Sequence, residues 1–225
     1  MELNADYGRR AAVHAASLDW APSPIAGVDR RMLDRVGGEV ARATSIVRYA
    51  PNSRFSPHTH GGGEEFLVLD GVFQDEHGDF PAGSYIRNPP GTRHTPGSAP
   101  GCVIFVKLWQ FDAADRAQIR LDTAAVPFAP AKGRPGVEIK TLFHSGCEDV
   151  RLEQWGPSAH VTLGDLPDGI EVLVLDGSFT DADEAFTTES WLRLPKGATL
   201  DVVAGAEGCR VWVKAGRAIS PELPK

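Results

Sequence analysis

Apolar residues fall in short runs along this chain. "FLVLDG" (66–71), "SYIRNPPG" (84–91) and "CVIFVKLW" (102–109) are rich in β-branched and aromatic residues and bounded by Gly, Pro and Asp. Runs of this length between turn formers predict strands. Helical spacing of apolar positions is weak throughout. The best helix candidate is short, around Asp29–Arg35, with a turn near Ala113–Ala117. Many short strands and little helix predict an all-β sandwich or barrel.

The pattern also repeats. "LVLDG" occurs at 67–71 and again at 173–177, an offset of 106 residues. At that offset "RNPPG" (87–91) meets "RLPKG" (193–197), and Tyr49-Ala50-Pro51 meets Trp155-Gly156-Pro157. One residue later in register, "GCVIFVK" (101–107) meets "GCRVWVK" (208–214). Four matches in order imply two copies of one β unit. The expected division is an N-terminal arm (1–35), a first unit (36–112), a linker (113–136) and a second unit (137–225). The Ala-, Pro- and Gly-rich stretch "DTAAVPFAPAKGRPG" reads as linker.

Composition narrows the classes. The 225 residues are 42% hydrophobic and 24% charged, enough for a proper core. The net charge of −7 argues against a basic nucleic-acid-binding face. No apolar run approaches the roughly 20 residues of a membrane span, and the N-terminus has no apolar signal core. Three scattered cysteines (Cys102, Cys147, Cys209) fit free thiols in a reducing cytoplasm and exclude a cysteine-only zinc site.

The chemistry concentrates in "SPHTHGGGEEFLVLDG" (56–71). His58 and His60 share parity, so on a strand they face one side, and continued parity reaches Glu64. Gly83, Pro89 and Gly91 shape a turn that delivers His94. Three imidazoles and a carboxylate make a ligand set for a transition metal. The glycines read as a bend that returns Glu64 to the ion. Glu65 competes with Glu64 for the ligand role. Its counterpart at the offset is Glu171, so a glutamate persists there without the rest of the site, which points Glu65 to a surface or strand edge. His58, His60, Glu64 and His94 correspond to Gly164, Leu166, Ile170 and Leu200, so the second unit should hold no metal and fill the vacated volume with apolar side chains. His77 reads as part of a solvated hairpin turn, and His14, His144 and His160 as ordinary. Cys102 and Cys209, at equivalent strand starts, read as core. Tyr85, Arg87, Phe105, Lys107 and Trp109 should line or back the barrel, with Arg87, matched by Arg193, in a structural role.

Two interlocking motifs carry a resemblance. His58, His60, Glu64 and Gly71 fit H-x-H-x3-E-x6-G, and Gly83, Pro89, Gly91 and His94 fit G-x5-P-x-G-x2-H. Together they resemble the cupin superfamily, and their flavour is similar to the cupin domain of ChrR-type anti-sigma factors. The second motif departs at Ser98, where cupins often have Asn. The resemblance implies one jelly-roll barrel per repeat, a tandem bicupin, with His58, His60, Glu64 and His94 as ligands of one divalent ion. Zinc is favoured, with Fe, Mn or Ni as alternatives.

Three functions follow from that resemblance. The first is a metal-binding regulatory or sensing protein of stress responses. Residues 1–35 contain no cysteine and one histidine, so the zinc site of the ChrR sigma-binding domain is missing and sigma-factor binding is not expected of this chain alone. The second is an Fe(II)-type cupin dioxygenase acting on a small organic substrate, with catalytic residues unassigned. The third is a non-catalytic binder of a small molecule at the mouth of the first barrel. A homodimer is compatible with each, and the expected location is the cytoplasm.

Overall fold

The computed structural model describes residues 1–216 apart from Glu39, Asp165 and Asp183. It is almost entirely β, with 3-10 turns at Ala15–Ser17 and Thr123–Ala125. No helix among the described residues is long and apolar enough to cross a membrane. The chain forms two compact units. Among the described residues, one comprises Met1–Ala5 and Leu18–Ala125; the other comprises Asp6–Ser17 and residues 126–216.

In the first unit the main sheet runs, neighbour by neighbour, through Glu2–Leu3, Val28–Gly37, Ala41–Tyr49, Cys102–Leu108, Glu64–Asp75, Ser84–Asn88 and Ile119–Asp122, and the ladders that order it are antiparallel. A smaller ladder pairs His58–Thr59 with Arg93–His94. The second unit repeats this order: Ala129–Pro130, Val137–His144, Glu148–Trp155, Leu200–Gly216, Ile170–Asp181, Ser190–Leu194 and finally Ala11–His14. The last strand of its sheet thus comes from the start of the chain. Ala11–His14 lies against Ser190–Arg193 in the register that Ile119–Asp122 adopts against Ser84–Arg87.

The stretch Asp29–Arg35 is not helical. Val28–Gly37 is a strand paired with Ala41–Tyr49 along its length. Arg, Met and Leu favour a helix locally, but the ladder to an adjacent buried strand overrides that preference. The turn near Ala113–Ala117 is present, closed by the Asp115 amide donating to the Asp112 carbonyl at 3.0 Å.

Each "LVLDG" ends on a glycine that the fold demands. Gly71 and Gly177 have φ of +71° and +73°, and a Cβ there would lie 2.1 Å and 2.3 Å from the carbonyl oxygens of Gly101 and Gly208. That approach excludes any side chain. Inside the first unit Phe66, Val68, Phe73, Ile86, Ile104 and Val106 form the core. The second unit's core includes Leu166, Ile170 and Leu200, as expected for a unit that fills the space with apolar groups.

Glu65 is not at a surface or strand edge. It is buried, and the Tyr85 hydroxyl donates to Glu65 Oε1 at 2.5 Å. Arg87 and Lys107 stand opposite it on the flanking strands, as Arg193 and Lys214 flank Glu171, and all six residues are buried. The glutamate persists in both repeats because it sits in a buried row of alternating charge. Cys102 and Cys209 are buried too, and burial pushes their thiols up to about 11 and about 12.

Candidate metal centre

The first unit draws the four sequence-predicted side chains to one point. His58 and His94 stand directly opposite each other in the short ladder. Glu64 opens the long strand Glu64–Asp75, opposite Asn88 on one side and Leu108 on the other. His60 lies between these elements, its amide donating to the Thr92 carbonyl at 2.9 Å and its carbonyl accepting from Gly91 at 2.8 Å. Each residue offers one donor atom, and the four atoms lie within 4.8 Å of one another. The imidazole centroids are 4.6 to 5.1 Å apart and their planes nearly perpendicular, so the rings converge without stacking.

Outer contacts decide which nitrogen of each ring faces inward. His60 Nδ1 is 3.0 Å from Thr92 Oγ1, whose own hydrogen goes to the Pro89 carbonyl at 2.7 Å. The Thr92 oxygen therefore accepts, and His60 Nδ1 carries the proton. His94 Nδ1 is 3.3 Å from the Asp75 carboxylate and donates to it. In the neutral rings both Nε2 atoms are then bare lone pairs. They face each other at 3.2 Å, and Glu64 Oε2 lies 3.3 Å and 3.5 Å from them. Three acceptors so placed need a cation among them, either a proton on one ring or a metal ion. Ligands about 2.0–2.1 Å from a zinc ion would be spaced about 3.3 Å apart on a tetrahedral edge, and the observed separations fit that span.

Without a metal ion, protonated rings take that place. Burial would raise the Glu64 carboxyl, but the His60 hydrogen bond and the charges of His60, His94 and His58 outweigh it and hold it below the usual carboxylate range. Burial would lower His94, but its bond to Asp75 and the charges of Glu64 and Asp75 lift it above the usual imidazole range. His58 is lowered, chiefly by burial, despite Glu64. It is nevertheless the exposed member of the set, while His60, Glu64 and His94 are buried. The cluster is therefore reachable from the His58 side.

Sequence reasoning missed the supports. Asn88 lies 3.5 Å from Glu64 Oε2, and Thr92 and Asp75 fix two rings. Asn88 and Thr92 sit inside the Pro-Gly turn motif and could have been suspected from it. Asp75 lies in the hairpin "QDEHGD", which carries no signal of a buried role. His77 is exposed in that hairpin, as expected. His14, His144 and His160 lie outside the cluster; each pairs with a nearby carboxylate.

Comparisons place this geometry. Residues 8–112 match the family model of the ChrR cupin-like domain. No curated protein sequence matches the chain. Among solved structures, the chain is similar to a Nostoc punctiforme protein described as a "putative dioxygenase", with 17% identity, a TM-score of 0.78, and 97% of this chain and 87% of that one covered. It is also similar to Ylba from Escherichia coli (13% identity, 94% and 93% covered, TM-score 0.70). A third is the bacterial pirin YhhW from Escherichia coli in complex with nickel(II) (14% identity, 92% and 99% covered, TM-score 0.65). The protein has the all-β cupin fold in two tandem barrels, and the stretch that carries its cluster of three histidines and one glutamate matches the ChrR cupin-like domain.

Proposed function

We propose that the first unit binds one divalent transition-metal ion through His58, His60, Glu64 and His94, and that a coordination position near His58 stays open to a small molecule. The observation that carries this reading is the convergence of three buried ligand atoms, 3.2 to 3.5 Å apart, beside a fourth that solvent reaches. A structural zinc site is closed by four protein ligands, whereas a working site keeps a position free. With Fe, Mn or Ni in five- or six-fold coordination, the same four residues leave one or two positions. The bound ion would supply Lewis acidity or redox chemistry. The chain's own part is to hold His94 through Asp75, orient His60 through Thr92, and offset the ion's charge with Glu64.

The reading placed first is an enzyme that uses such a centre on a small organic substrate, of the dioxygenase type. The likeness to the Nostoc punctiforme protein over 97% of this chain supports it, as does the solvent-reachable side. The second reading, a metal-dependent sensor in a ChrR-like stress response, is favoured by the match over residues 8–112. Elemental analysis of protein purified without added metal should find about one ion per chain. Iron-loaded protein treated with nitric oxide should then give the electron paramagnetic resonance signal of a ferrous nitrosyl. An ion with no exchangeable position would move the assignment to a closed, regulatory site.

A further inference from the structure

Between His60 and Glu64 the chain passes through Gly61, Gly62 and Gly63, and two aromatic residues press on this loop. A Cβ at Gly62 would lie 2.2 Å from the Trp109 indole, and one at Gly61 would lie 2.9 Å from it. A Cβ at Gly63 would lie 2.4 Å from the Phe111 ring. The Trp109 amide also donates to the Gly63 carbonyl at 3.1 Å. Behind Phe111 stands the Arg87 guanidinium, 4.1 Å from the ring centroid and 2.8 Å from the Asp115 carboxylate. The indole closes off the space beside both Gly61 and Gly62, and the Phe111 ring is stacked on a paired guanidinium.

Trp109 holds this place in an unfavourable backbone conformation. Its φ is +58°, a region that bulky residues rarely occupy. Such strain persists where the surroundings over-determine it, and it clusters at functional sites. The second repeat shows what the backbone prefers when nothing is clamped. Leu108 stands opposite Glu64, and Ala215 stands opposite Ile170, so Trp109 corresponds to Gly216, whose φ is +114°.

The glycines change with it. At the offset of the long strand, Gly61, Gly62 and Gly63 correspond to Pro167, Asp168 and Gly169. Gly63 and Gly169 both have positive φ, +80° and +86°, so the turn itself requires that glycine in either repeat. Gly61 and Gly62 are not in the left-handed region, and the metal-free repeat replaces them with Pro and Asp. The turn therefore does not need them; the indole does. The tryptophan and the two glycines occur together where the ligand cluster occurs and are missing together where it is missing.

We infer that Trp109 is a positioning residue for the metal centre, its indole clamping the Gly61–Gly63 loop so that the Glu64 carboxylate is held against the His60 and His94 imidazoles. The inference rests on the proposed metal reading and extends it to a residue outside the ligand set. A clamp of this kind acts on affinity and geometry rather than on which residues can ligate. Outer supports of metal ligands change affinity by about 10–100-fold.

Cobalt(II) is the probe, because its visible bands report coordination. Wild-type protein, W109G, W109F, G62A, the W109G/G62A double variant and E64Q are titrated with cobalt against a competing chelator. W109G suits the backbone, since glycine accepts φ of +58°. It should bind cobalt about tenfold or more weakly, with its bands moved toward those of E64Q. W109F, which keeps a flat ring, should recover part of the loss. G62A should weaken binding in the wild-type background and do no further harm in W109G, where the ring it collides with is gone. Wild-type affinity and bands in W109G would overturn the inference, as would effects of W109G and G62A that simply add. If W109G fails to fold, as metal-free melting would show, W109F and G62A decide the matter, and wild-type behaviour in both overturns the inference. A wild-type protein that takes up no cobalt would overturn the metal reading instead.

Discussion

The strands Glu64–Asp75 and Ile170–Asp181 are the same element built twice, and they differ where chemistry differs. Phe66, Glu65 and Glu64 face Ile86, Arg87 and Asn88; Val172, Glu171 and Ile170 face Leu192, Arg193 and Leu194. The buried charge row survives in both, while Glu64 gives way to Ile170. The exchange extends past the ligands. Asn88, beside Glu64, becomes Leu194, and Thr92, which orients His60, becomes Ala198. Leu166, Ile170, Leu194 and Leu200 belong to one apolar cluster, with Ala198 packed against it. A polar site and its supports are thus replaced as a set, since a lone buried acceptor left behind would be costly. The strand frame does not depend on the ligand cluster, and the cluster occupies positions the frame leaves free.

The sharpest way to break this comparison is to remove a ligand. His94→Ala should take the metal content from about one ion per chain to none. Its effect on thermal stability should be large when the metal-loaded proteins are compared and should shrink in chelator. Glu64→Gln should act similarly, because an amide cannot offset the charge of a divalent ion. Glu65→Gln should leave metal content in place and instead destabilise the fold by about 1–3 kcal/mol, as for a disturbed buried hydrogen bond, with Glu171→Gln behaving alike. Metal content by elemental analysis and chemical denaturation separate the two classes. Loss of metal at Glu65→Gln would show that the two neighbours have been assigned the wrong roles.

The counterpart of His94 tests the other repeat. Leu200 is 1% exposed within the cluster, and Leu200→Ala should cost about 2–5 kcal/mol, the usual range for such a cavity. Unlike His94→Ala, it should cost the same with and without chelator in denaturation of the second unit. A neutral Leu200→Ala would mean that apolar packing does not replace the ion there.

Much of this comparison could be read in the sequence, because it was written in residues that are local and repeated. The "LVLDG" runs, the Pro-Gly turns and the H-x-H…E…H spacing each depend on neighbours along the chain. What escaped depends on pairing across the fold. Val28–Gly37 carries charged residues at irregular intervals and becomes a strand through its ladder to Ala41–Tyr49. The four residues Ala11–His14 show no strand pattern, yet they close the sheet of the second unit beside Ser190–Leu194. The persistence of Glu65 as Glu171 suggested a surface or strand edge, because the buried Arg and Lys that flank each glutamate lie on neighbouring strands, far away along the chain. The glycines were read as a bend, and the further reason for Gly61 and Gly62 was out of sight, since the ring that leaves no room for a side chain there lies nearly fifty residues away along the chain, at Trp109.

The finest distinction lies between Asp75 and Asp181, which occupy one position in the two repeats. Asp75 turns inward, its carboxylate 3.3 Å from His94 Nδ1. Asp181 instead accepts from Arg10 at 2.8 Å, in a partly exposed pair. Asp181→Asn should therefore change stability by less than about 1 kcal/mol and leave metal binding untouched. Asp75→Asn should weaken metal binding about 10–100-fold at pH 8, because the imidazole loses the partner that fixes its tautomer and raises its basicity. The pH dependence gives an independent sign. Burial would raise the Asp75 carboxyl, but hydrogen bonds from His94 and the His77 amide hold it below its usual value, and Asp75 in turn helps hold His94 above the ordinary imidazole value of 6.5. In the metal-free protein the His94 contribution to stability is present below pH 6.5 and fades as pH rises through the elevated value. A proton competes with the ion for His94, so metal binding should fall as pH drops through the same range. Asn at position 75 removes the charge that favours that proton. The acid limb of metal binding should then move to lower pH, even though the plateau affinity falls. Cobalt titrations between pH 5 and pH 8, a range of about three units around the imidazole value, would show both effects. An acid limb that stays in place would mean that Asp75 supports the ring mechanically and does not tune its charge.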